Sequence, residues 1–63
     1  MIRERFTRVR AELVTIDDKV YRAVCDFEGR ENIEVETRQA VGAVTDALRK
    51  LISLLLRVID SLP

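Results

Sequence analysis

Sixty-three residues make one domain at most, and a single core in so short a chain rarely supplies more than about 3–5 kcal/mol. Eleven basic and eleven acidic residues cancel, which argues against a strong nucleic-acid binder, since such domains carry a clear basic excess. With one cysteine and no histidine, an intrachain disulfide and the usual zinc site are both excluded. Oligomerisation is the remaining way to stabilise a core this small, so the chain is expected to pair with itself, as a homodimer or higher oligomer.

The charge is unevenly spread. Residues 1–7 form a basic N-terminal segment, and within the first ten residues Arg3, Arg5, Arg8 and Arg10 face only Glu4. Residues 11–38 carry twice as many acids as bases, and 39–63 are nearly balanced. The start is charged and has no apolar stretch of the signal-peptide kind. The C-terminal apolar run is interrupted by Arg57 and Asp60 and falls short of the ~18–20 residues a spanning helix needs. A cytoplasmic protein with no membrane partner is the resulting expectation.

From residue 8 the pattern alternates. Arg8 to Ile16 reads as a strand ending in β-branched residues, with Asp17-Asp18-Lys19 as a turn. Val20 to Glu28 is a second strand candidate, and Gly29-Arg30-Glu31-Asn32 a second turn whose Gly and Asn accept positive φ. Ile33-Glu34-Val35-Glu36-Thr37 alternates strictly. With three-residue loops at both turns, Val9 faces Phe27, Leu13 faces Ala23, Cys25 faces Val35 and Phe27 faces Ile33, giving one apolar sheet face. Tyr21, Cys25 and Phe27 would then lie on the core side. Asp26 opposite Glu34 is the one like-charge pair.

Residues 38–62 read as a long helix with Thr37 as its N-cap. Val41, Val44, Leu48, Leu51, Leu55, Val58 and Leu62 make one stripe. Ala40, Ala47 and Leu54 widen it on one side, and Ile52, Leu56 and Ile59 on the other. A three-stranded sheet can cover one stripe but not its flanks, so Ile52, Leu54, Leu56, Ile59 and Leu62 are the expected oligomer interface. Gly42, inside this helix, suggests a close approach of helix to sheet.

The predicted fold is therefore α+β: a β-meander over 8–38 followed by one helix (βββα), all within a single domain, 1–63. An all-α alternative rests on Ile2, Phe6, Val9, Leu13, Ile16, Val20, Ala23 and Phe27, whose spacing alternates between four and three. That is a heptad seam, and the helical stripe obeys the same rule. A helical hairpin dimerising into a four-helix bundle would satisfy both. It places Val14-Thr15-Ile16 and Val20-Tyr21 mid-helix, at a few tenths of a kcal/mol each, and is the second choice on that ground.

Two segments resemble the second half of the ribosome hibernation-promoting factor family. Val41-Gly42-Ala43-Val44-Thr45, Lys50-Leu51 and Leu55 are similar to its final helix, and Phe6 to Leu13 to its second strand. Val41 stands where the family has an aromatic, Thr45 where it has Asp, and Leu54 where it has Gln. The resemblance implies a βββα half-domain and a ribosome- or RNA-associated translation modulator. Arg3, Arg5, Arg8, Arg10, Arg49, Lys50 and Arg57 are then the candidate phosphate contacts.

No catalytic constellation is visible. The paired acids, Asp17–Asp18 and Glu34/Glu36, lie at a turn and on an exposed strand face, with no cleft implied. Cys25 reads as a small buried hydrophobe. The expectation is a non-enzymatic binding module without cofactor or small-molecule substrate. The alternative is a structural self-assembly or protein–protein interaction module built on the apolar helix.

Overall fold

The computed structural model describes residues 2–63, and its described residues are 84% helical with no strand. A four-residue helix, α1 (Ile2–Arg5), leads into α2 (Thr7–Glu28, 22 residues), and α3 (Val35–Asp60, 26 residues) returns alongside it. The β-meander expected over 8–38 is thus contradicted, and with it the α+β class. The fold that the resemblance to the hibernation-promoting factor half-domain implied goes with it. The arrangement is an antiparallel helical hairpin.

The reason the alternation misled is physical. Val9, Leu13 and Phe27 fall on one face in both a period-2 and a heptad reading, so the apolar sheet face was no discriminator. The β-branched run Val14-Thr15-Ile16 costs the helix only tenths of a kcal/mol per residue. Thr15 adapts by donating its hydroxyl to the Ala11 carbonyl at 3.0 Å, and Thr45 does the same to Val41 at 2.7 Å. Asp17 makes no turn. It sits mid-helix, where its carboxylate accepts a hydrogen bond from Arg49 of α3.

Local signals at the helix ends are weak. Phe6 breaks α1 from α2 with φ −100 and ψ 5, and its N–H donates to the Arg3 carbonyl. Gly29 closes α2 by donating to Cys25 O at 3.1 Å with φ −74, so the turn uses no positive φ. α3 begins earlier than expected: Glu34, not Thr37, is the extended N-cap residue, and it makes no side-chain cap bond. Glu36 in the first turn and Arg57 in the last both complement the helix dipole. Arg38 donates from Nη2 to the Arg30 carbonyl, tying the start of α3 to the inter-helix loop. At the other end the Arg3 N–H donates to the Pro63 carbonyl at 3.1 Å, so the two chain ends meet.

The hairpin is one layer thick, with extents of 50 × 15 × 9 Å and a radius of gyration of 15.0 Å. A compact 63-residue domain would have about 11 Å. Two helices side by side can cover only one stripe of each. On α2 the covered stripe holds Leu13, Asp17, Val20, Val24 and Phe27; on α3 it holds Val41, Thr45, Arg49, Ile52, Leu56 and Ile59. Among the described residues only Ile52 (7% exposed) and Ile59 (6%) are buried apolar residues. Gly42 marks no close approach, because a Cβ there would meet nothing within 4 Å.

Candidate functional site

The helical phase divides the flat hairpin into two broad faces. At 100° per residue, positions a quarter-turn from the covered stripe point to one face or the other. The antiparallel arrangement puts the same sense of rotation on the same face for both helices. One face carries the ion pairs that cross between helices. Arg10 Nε donates to Asp60 Oδ1 at 2.9 Å, and Arg49 Nε to Asp17 Oδ1 at 3.1 Å. The Arg49 guanidinium also sits 5.0 Å from the centre of the Tyr21 ring. Both arginines are thereby held more firmly protonated, first by the hydrogen bond to the carboxylate and then by its charge. The Asp60 carboxyl is held below its ordinary value chiefly by the Arg10 hydrogen bond.

The opposite face carries Val44, Leu48, Leu51, Leu55 and Val58 of α3. All five are exposed, Leu51 at 54%. Their spacing of four and three residues makes a continuous heptad seam about 21 Å long at 1.5 Å per residue. Beside it on the same face, α2 presents Arg8, Glu12, Ile16, Lys19, Ala23 and Asp26 by the same phase. A shallow hollow lined by Ala40, Val41, Val44 and Thr45 continues the apolar surface toward the start of α3.

The residues expected as an oligomer interface are split by this geometry. Ile52 and Ile59 are buried against α2, Leu56 and Leu62 are half-buried, and Leu54 is exposed at 49% on the far flank of the seam. Leu48, Leu51 and Leu55, which the sequence reading assigned to the domain's own core, are the ones left open. The periodicity contained this signal, since α3 has two adjacent seams, and one hairpin partner can use only one.

The candidate phosphate contacts do not gather into one patch. Arg10 and Arg49 are engaged by carboxylates on the ion-pair face. Arg3 lies near enough to Asp60 to help hold its carboxyl ionised. Arg5 and Arg8 are exposed, Arg8 toward the opposite face, and Lys50 and Arg57 on the outer side of α3. The aromatic and thiol expectations are also corrected: Tyr21 is 53% exposed and Cys25 is exposed, while Phe27 is half-buried. In a helix these three positions no longer share a side, as they would in a strand. Among the described residues no three His, Cys, Asp or Glu side chains stand together as a metal site, and no helix is long and apolar enough to cross a membrane.

Comparison with protein-family models, with curated proteins and with solved structures gives no match.

Proposed function

We propose that the protein is a non-enzymatic assembly module that works as a homodimer, with the Val44–Leu48–Leu51–Leu55–Val58 seam of α3 as its interface. The observation that carries this reading is surface area. The chain exposes 5397 Å², whereas a compact protein of 7.3 kDa exposes about 4,200 Å². The excess of about 1,200 Å² exceeds the ~800 Å² that each partner buries in a standard stable complex. Five exposed aliphatic side chains of α3, Val44, Leu48, Leu51, Leu55 and Val58, lie together on one face. Leaving five large aliphatic side chains wet forgoes about 1.5–3 kcal/mol for each that could be fully buried. A core of two buried isoleucines offers little to offset that loss.

Sedimentation or light scattering of the full chain tests the reading. The wild type is expected at twice its monomer mass at micromolar concentration, and Leu51→Lys at the monomer mass. A monomeric wild type, or a Leu51→Lys variant that still sediments as a dimer, removes the proposal.

A further inference from the structure

The exposed face specifies how two copies meet, and this inference rests on the homodimer reading above. The five seam residues read Val-Leu-Leu-Leu-Val in either direction, centred on Leu51. When two α3 helices cross antiparallel with Leu51 against the partner's Leu51, Val44 meets the partner's Val58 and Leu48 meets the partner's Leu55. The seam is self-complementary in that orientation, which is what a two-fold interface requires.

The charges of α2 carry an independent version of the same symmetry. The Asp17–Arg49 and Arg10–Asp60 ion pairs set the level of the two helices, placing Ile16 between the levels of Lys50 and Leu54, a span that includes Leu51. A two-fold axis through Leu51 therefore passes close to Ile16. Along this face α2 reads Arg8, Glu12, Ile16, Lys19, Asp26: plus, minus, apolar, plus, minus. Reversal about Ile16 turns each sign into its opposite. Glu12 comes to the partner's Lys19, Lys19 to the partner's Glu12, and Asp26 falls near the partner's Arg8. Ile16 meets the partner's Ile16.

The competing two-fold, parallel to the helices, lays α3 over the partner's α2. It sets Leu48 on the partner's Lys19 and Leu55 on the partner's Glu12, covering charges with aliphatic groups and leaving them unpaired, which is costly. The geometry points to a face-to-face antiparallel dimer: a four-helix bundle with α3 on α3 and α2 on α2, whose two-fold axis passes by Leu51 and Ile16, and in which Glu12 and Lys19 select a second copy of this chain as the partner.

This arrangement puts the two inter-helix loops at opposite ends of the bundle. With Asn32→Cys in a Cys25→Ser background, spin or fluorescent labels on the two chains of the dimer are expected about 40 Å apart, from roughly 14 residues of helix rise on each side of the axis. The parallel two-fold brings the same labels within about 15 Å, the diagonal of a bundle with helices 8–10 Å apart. Charge reversal supplies the second arm. Glu12→Lys and Lys19→Glu each place like charges opposite one another twice per dimer and weaken self-association by roughly tenfold. Mixing the two variants restores dimerisation, because the Glu12→Lys chain offers lysine at both levels and the Lys19→Glu chain offers glutamate at both. A dimer with labels well short of 40 Å, or variants that show no preference for each other, overturns the antiparallel arrangement and leaves the homodimer reading standing. A monomeric wild type overturns both.

Discussion

The two broad faces of the hairpin solve different problems with the same helices. One face closes the chain on itself: Arg10–Asp60 and Arg49–Asp17 cross between α2 and α3, and Tyr21 lies against Arg49. The Arg10–Asp60 pair is exposed and the Arg49–Asp17 pair only half-buried, so each is worth little as energy, but they set the register in which Ile52 and Ile59 pack. The other face has no ion pair crossing between the helices among the described contacts and concentrates aliphatic area. Directional polar contacts set position, and non-directional apolar area supplies the driving force that is left over.

The sharpest way to break this division is to compare neighbours on α3 that face different ways. Leu51→Lys, on the open seam, is expected to weaken dimerisation by about a thousandfold, since two leucines per dimer are lost at once. Ile52→Ala, one residue along, is expected to cost the hairpin itself about 2–4 kcal/mol in denaturant unfolding, through lost burial and a residual cavity. If the two variants lose association and stability in the same proportion, the faces are not separate in function.

Gly42 offers a test in the opposite direction. It lies mid-helix and away from the open seam, and a Cβ there meets nothing within 4 Å. Gly42→Ala is therefore expected to stabilise the fold by about 1 kcal/mol with no change in dimer mass.

The smallest expected effect sharpens the account of the ion-pair face. The folded Asp60 carboxyl titrates below its ordinary value of 3.8. Its contribution is therefore complete above about pH 4 and is lost as the pH falls from there through the lowered folded value. Asp60→Asn is expected to flatten the acid limb of the stability–pH curve in that window slightly, through a small loss of stability at neutral pH that vanishes below the folded value. A larger change at neutral pH would give the Arg10–Asp60 pair more weight than its exposure allows.

Part of this architecture was legible in the residues, and part was misread for definable reasons. The heptad spacing of Ile2 to Phe27 and of Val41 to Leu62 marked two amphipathic helices, yet β-branched residues at 14–16 and 20 favoured strands on propensity. Propensity differences of tenths of a kcal/mol were outweighed by a 22-residue helix that could pack its whole length. Asp17 read as a turn residue because nothing local announces a partner 32 positions away. The width of the apolar face on α3 was plain on the helical wheel. Which part of that face stays open was not, so Ile52 and Ile59 were expected outside and Leu51 inside.

By itself the sequence determined that α3 has more apolar surface than one neighbour can cover, because 3.6-residue periodicity places Val44 to Val58 and Thr45 to Ile59 on adjacent stripes whatever the fold. Only the tertiary structure decided which stripe is used within the chain. A rotation of α3 by about one residue, 100°, exchanges the two seams. The long-range pairs Asp17–Arg49 and Arg10–Asp60 select one rotation, since each requires its two side chains at the same level and on the same face.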